Sequence, residues 1–251
     1  MKIHLPPYAV VAFGSMAREE MCPYSDVEFG FLLEDDTEEN REYFRKLSQF
    51  LQLRIINLGE TFFPVLRPQK GCKLIFERLS KTPRGFSLDT GGIAPLGKEG
   101  VYELICSPKQ LANFHNPKWL EANQGETPLI NALTQCAFVM GKENLLDQYI
   151  TSMERTLNAR TGLFFGPRLR ESRAIDLLRG HLQEFHPWLT KDRIDGRGFN
   201  AKKDLYRPLQ MIVGCLSLYY GISSGNTFTA IQELQKKVFS VQKVQKNFKK
   251  R

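Results

Sequence analysis

Two short segments carry residue types whose spacing fits chemistry: Gly14-Ser15, and the carboxylate pair Asp26 and Glu28. Tyr8 to Phe13 (YAVVAF) is an apolar, β-rich run that stops at Gly14, which predicts a buried strand entering a tight turn. A strand ending in Gly-Ser and passing into a helix presents backbone N–H groups and a hydroxyl where phosphate oxygens can be gripped. Asp26 and Glu28 stand two apart on the next strand-like stretch, which runs from Val27 to Leu33. Alternate residues of a strand share a face, so both carboxylates are expected on one side, with Val27 and Phe29 turned to the core. Two neighbouring acids repel unless a cation lies between them. Magnesium suits that place, because it takes oxygen ligands and binds protein carboxylates and substrate phosphates together.

The full run Gly14-Ser15-x-x-Arg18-x-Glu20-x-x-Pro23-x-Ser25-Asp26-x-Glu28 resembles the signature of the bacterial uridylyltransferases that modify PII signalling proteins. It is also similar to the glutamine-synthetase adenylyltransferases and to little-characterised nucleotidyltransferases near them. Ser15 stands where the uridylyltransferases usually carry a second glycine, and Glu28 where they usually carry aspartate; both variants fit the wider superfamily. The resemblance implies an α+β chain: a polymerase-β-like nucleotidyltransferase domain, with a mixed sheet flanked by helices, followed by a helical domain. It implies transfer of a nucleoside monophosphate from a nucleoside triphosphate to an acceptor hydroxyl, of adenylyl or uridylyl type, with release of pyrophosphate. Two magnesium ions, replaceable by manganese, are the implied cofactor, and a protein is the implied acceptor.

The same resemblance assigns roles to further residues. A third metal-binding carboxylate is expected on a later strand, and Asp89 matches it, because Phe86 to Gly100 holds an aspartate followed by a Pro-x-Gly-x-x-Gly loop. Asp26, Glu28 and Asp89 are then the catalytic and metal-binding triad, with Gly14, Ser15 and Arg18 at the triphosphate. The stretch from Phe199 to Leu209, ending in Leu218-Tyr219-Tyr220-Gly221-Ile222, resembles the helical segment behind the catalytic domain of these enzymes, where Lys203 or Lys202 would reach the triphosphate as a flexible point charge. Each feature also has a plainer reading. An Asp-x-Glu on a half-exposed strand is often a solvated face, Arg18 can serve as an ion-pair partner of Glu20 or Glu28, Asp89 can simply form a turn, and the two lysines can mark a surface helix start.

These residues need elements to hold them. Thr37 offers a cap three residues before Asn40, and Tyr43, Leu47, Phe50 and Leu51 recur at helical spacing to about Gln52. Leu53 to Leu58, Leu74 to Phe76 and Gly85 to Asp89 read as strand pieces. Strand signals fade from Pro108. Helices are expected from Pro128 through Met140 with Gly141 as the stop, over 168–185, over 206–220 and over 229–239. The expected domains are 1–107, catalytic; 108–240, helical; and 241–251, a basic tail.

With 251 residues, 42% apolar and 25% charged, the chain has the balance of a soluble globular protein with one large or two smaller domains. The net charge of +8 favours anionic partners such as nucleotides or nucleic acid. Part of it is local, since Lys236 to Arg251 carries seven cations and no acid. Two other classes share these features: a non-catalytic regulatory module that keeps the fold and binds nucleotide or a partner, and a nucleic-acid-binding protein that uses the basic tail. Five scattered cysteines without CxxC spacing indicate neither a disulfide framework nor a zinc site. Met1 to Pro7 lacks the pattern of a secretory signal, and Leu209 to Ile222 is too short to span a membrane. A reducing cytoplasm is therefore the expected location, with no membrane partner.

Overall fold

The computed structural model describes residues 6–22, 25–57, 87–88, 93–97, 102–123, 127–162, 165–189, 205–223 and 225–248. Asp89, Lys202, Lys203 and Leu74 to Phe76 lie outside the described residues. Two compact units divide the chain, Met1–Thr156 and Leu157–Arg251; the sequence-based boundary stood at 107.

The first unit is mixed α+β. Strand β1 (Tyr8–Phe13) leads through the four-residue α1 (Gly14–Ala17) to β2 (Asp26–Val27) and β3 (Phe29–Leu33). Helix α2 (Glu38–Asn57), β4 (Ser87–Leu88) and β5 (Ile105–Cys106) follow. Then come α3 (Pro108–Asn113), α4 (Pro117–Ala122), α5 (Thr127–Ala132), β6 (Cys136–Gly141) and α6 (Asn144–Asn158). The four-stranded sheet has the order β5-β3-β1-β6. β1 is antiparallel to both neighbours and β3 is parallel to β5, which makes the sheet mixed. β2 and β4 pair in parallel as a separate two-stranded sheet.

All five residues of β3 are buried, as expected of a strand with neighbours on both edges and a helix against its face. Phe29, Phe31, Leu33, Phe44 of α2 and Ile105 form one core cluster. The Phe31 and Phe44 ring centroids lie 4.8 Å apart and those of Tyr8 and Phe44 5.1 Å apart, spacings at which aromatic pairs add to burial. Thr37 caps α2 as its spacing predicts, accepting the Asn40 N–H at 3.2 Å. The helix runs on to Asn57, so Leu53 to Asn57 is helical rather than a strand. Extending a helix adds one hydrogen bond per residue, whereas a new strand has to be started.

A further expectation is corrected. The single helix from Pro128 to Met140 is α5 followed by strand β6, because β1 has a second edge to pair and Cys136 to Gly141 fills it in antiparallel register, Phe13 opposite Cys136 and Ala9 opposite Gly141. Tyr149 of α6 pins this region: its buried hydroxyl donates to the Leu133 carbonyl at 2.8 Å and lies 2.9 Å from His115 Nε2.

In the second unit the described regular structure is helical: α7 (Leu169–Leu189), α8 (Arg207–Tyr220) and α9 (Thr227–Phe248), with one bridge between Arg160 and Arg168. Gly221, at φ +65°, ends α8 in the left-handed conformation that favours glycine. Helix α9 outruns its expected end at 239, so residues 241–248 of the expected tail are helical; Val241, Val244 and Phe248 continue the three-to-four-residue apolar repeat. Among the described residues no helix is long and apolar enough to cross a membrane.

Candidate active site

The end of β1 sets the site. Gly14 adopts φ +54°, a conformation that costs a residue with a side chain roughly 1–2 kcal/mol. A Cβ on Gly14 would lie 1.4 Å from Glu28 Oε2, so only glycine lets the carboxylate rest against this turn. Ser15 N–H donates to the same Oε2 at 3.2 Å, and Phe13 N–H donates to the Glu28 carbonyl at 2.9 Å. The Gly-Ser turn and Glu28 are thus in direct contact across the β1/β3 pair.

The expected continuous strand is broken at Glu28. Asp26 and Val27 pair with Ser87 and Leu88 in the small sheet, while Phe29 onward pairs with β1 and β5. Glu28 is the joint between the two sheets, with its side chain on the Gly14 turn. Phe29 sits in the core cluster and Val27 packs against it, as expected of the residues that alternate with Asp26 and Glu28. Asp26 follows a turn in which Cys22 N–H donates to Ser25 Oγ at 3.0 Å and Ser25 N–H to the Cys22 carbonyl at 2.8 Å.

Helix α1 is a single turn, and the Ser15 N–H expected to meet phosphate is held by Glu28. Arg18 donates to Glu20 Oε2 at 3.1 Å and to Gln135 Oε1 at 3.3 Å, which fits its plainer reading as a structural ion-pair partner. Gln135 was not singled out in the sequence. It stands directly before β6, and the β-prone run Cys136-Ala137-Phe138-Val139 was the available signal. Pairing of β6 with β1 is what carries Gln135 to the turn that holds Arg18.

Asp89 follows Leu88, whose strand pairs with the one bearing Asp26, but lies itself outside the described residues, as does Lys203. Among the described residues, no group of three or more His, Cys, Asp or Glu converges as a metal-binding cluster. Asp26 and Glu28 supply hard oxygen donors, and the side-chain-free space above Gly14 is filled by one of those carboxylates; both fit a hard divalent cation.

Residues 2–62, which contain the Gly-Ser turn, both carboxylates and α2, match the model of a family described as "Putative nucleotidyltransferase DUF294". The match covers residues 2–62 of the 251, so it is this N-terminal segment that is similar to the family. No curated protein matches the chain.

Proposed function

We propose that the chain is a magnesium-dependent enzyme that transfers a nucleoside monophosphate from a nucleoside triphosphate to a hydroxyl of a protein, releasing pyrophosphate. The observation that carries this reading is the contact of Glu28 with the Gly14-Ser15 turn, within the segment that matches the nucleotidyltransferase model. It sets a carboxylate against the Gly-Ser turn, and a nucleoside triphosphate complexed to a cation requires carboxylate ligands for that cation.

Asp26 and Glu28 would hold the metal, with Asp89 as the third carboxylate. Magnesium, when bound, neutralises charge on the triphosphate and lowers the pKa of the acceptor hydroxyl. The polypeptide's own part is positioning. Gly14 leaves room for the carboxylate, Ser15 would offer its hydroxyl to a phosphate oxygen while its N–H holds Glu28, and Lys203 would contribute a positive charge. Arg18, tied to Glu20 and Gln135, fixes the turn. Asp89 would accept the proton of the attacking hydroxyl. The resemblance to uridylyl- and adenylyltransferases that modify proteins is the ground for a protein acceptor.

The test is to incubate the chain with each of the four α-labelled ribonucleoside triphosphates, magnesium and a cell lysate, and to follow label into protein. Label in protein that disappears with chelator, and falls by at least about a hundredfold in Asp26→Ala and in Glu28→Ala, is the expected result. Transfer that persists in both variants rules the reading out.

A further inference from the structure

Glu28 is held at both ends. Its carbonyl accepts from the Phe13 N–H at 2.9 Å, and its carboxylate accepts from the Ser15 N–H at 3.2 Å through Oε2. The turn that supplies the second bond is itself braced, because the Gly14 and Ser15 carbonyls accept from the Arg18 and Glu20 N–H groups at 3.2 and 2.9 Å. The Arg18 side chain adds its bonds to Glu20 and Gln135. A long side chain, costly in entropy to immobilise, is thereby fixed by the fold itself. Partners that orient a ligating carboxylate in this way tune what the carboxylate can hold.

The orientation of the carboxylate follows from the distances to the turn. A Cβ built on Gly14 lies 1.4 Å from Oε2, 2.4 Å from Cδ and 2.9 Å from Oε1. The last distance is shorter than a position straight beyond Oε2, in line with the two oxygens, would give. Gly14 therefore borders the notch between the oxygens rather than the far side of Oε2. A cation shared equally by both oxygens sits in that notch and would press against the turn; a cation on Oε1 alone avoids it. Coordination then separates the candidate ions. Magnesium binds octahedrally at about 2.0–2.1 Å, and the short bite of one carboxylate does not span two adjacent corners of that octahedron. Calcium gathers about six to eight oxygens at about 2.3–2.6 Å and can draw two of them from one carboxylate. A carboxylate limited to one oxygen withholds from calcium a contact that magnesium does not need.

We propose that the Gly14-Ser15 turn makes Glu28 a one-oxygen ligand and so sets the preference of the site for magnesium or manganese over calcium. The inference rests on the reading of Asp26 and Glu28 as metal ligands. Gly14 and the Ser15 N–H are positioning groups in it, acting through Glu28, and the Ser15 hydroxyl is left to phosphate. The length of glutamate matters, because an aspartate at the same place is one methylene short of the turn.

The experiment titrates the full chain with Mn2+, reads the free ion by electron paramagnetic resonance, and then displaces the bound ion with Mg2+ or with Ca2+. The parent is expected to release Mn2+ at a Mg2+ concentration at least about tenfold below the Ca2+ concentration that does the same, the scale on which orienting partners act. Glu28→Asp keeps the charge but draws the carboxylate back from the Ser15 N–H, and in it Ca2+ is expected to compete within about threefold of Mg2+. Ser15→Ala keeps the N–H and is expected to keep the parent's preference. Circular dichroism checks that each variant is folded. Equal competition by the two ions in the parent, a preference that survives in Glu28→Asp, or one that Ser15→Ala abolishes overturns the proposal and leaves the transfer reading standing. No Mn2+ bound by the parent, or undiminished binding by Glu28→Gln, takes Glu28 away from the cation and overturns both.

Discussion

Phe29, Phe31 and Leu33 of the first unit are enclosed by Phe44, Ile105 and the neighbouring strands, whereas Leu209, Ile212 and Leu216 of the second stand 38–59% exposed along one helix. The first unit is close to charge balance and the second strongly basic. The first encloses this cluster with its own sheet and helix, while Phe50 of α2 and Phe138, Val139 and Met140 of β6 stand 37–52% exposed. The second leaves Leu209, Ile212 and Leu216 partly exposed along one side of α8. Differences between the units in response to substitution are the measure of this contrast. The chain has one tryptophan in each, Trp119 and Trp188, so Trp119→Phe and Trp188→Phe backgrounds report on them separately.

The largest expected effect is that of Gly14→Ala. The new Cβ meets Glu28 Oε2 at 1.4 Å and the backbone sits at φ +54°. Strain and displacement of the carboxylate together should cost the first unit more than about 2 kcal/mol, read as an earlier denaturant midpoint of Trp119 fluorescence with that of Trp188 unmoved. A smaller loss, of about 1–3 kcal/mol, is expected for Tyr149→Phe, which removes the hydroxyl shared by Leu133 O and His115 in a fully buried place. If either substitution shifts both tryptophan transitions equally, the units are not independent and the contrast fails.

The smallest effect concerns acid. Burial pushes the Asp36 carboxyl up, but the hydrogen bond from Arg41 and those from Ser107 outweigh it and hold the group below its ordinary value. A carboxyl with a depressed native pKa binds its proton less readily folded than unfolded. Its contribution to stability is therefore complete above the ordinary value of about 3.9 and is lost as pH falls through the native value. Asp36→Asn should flatten the acid limb of the first unit's stability curve, measured by urea unfolding of Trp119 fluorescence from pH 5 downward. An unchanged slope would mean that Arg41 and Ser107 do not favour the ionised form.

Much of the site was legible because its determinants are local. The apolar run Tyr8 to Phe13 became β1 with the same bounds, Gly14 turned as glycine before a polar residue should, and Thr37 capped α2. What stayed hidden depends on distant pairing. Nothing near Glu28 signals that the strand breaks there, because the break comes from one side of the chain joining β4 and the other joining β1. Residues 136–141 follow a helix start and read as its continuation until β1 is seen to need a partner. Gln135 was invisible for the same reason. The run of cations after Lys236 drew attention to charge and away from the valines that prolong α9.

The contact between Gly14 and Glu28 also has a consequence in time. β1 and β3 are joined by about fifteen residues, so closing that hairpin costs little chain entropy, and the turn can form with it. The other edge of β1 waits for β6, more than a hundred residues later. During synthesis the site-bearing hairpin is therefore complete well before its neighbour emerges. In that interval Val11 and Phe13, which the finished fold buries completely, lie along an unpaired edge of the kind that recruits stray strands. The segment that ends this exposure, β6, is thus the one that brings Gln135 to Arg18.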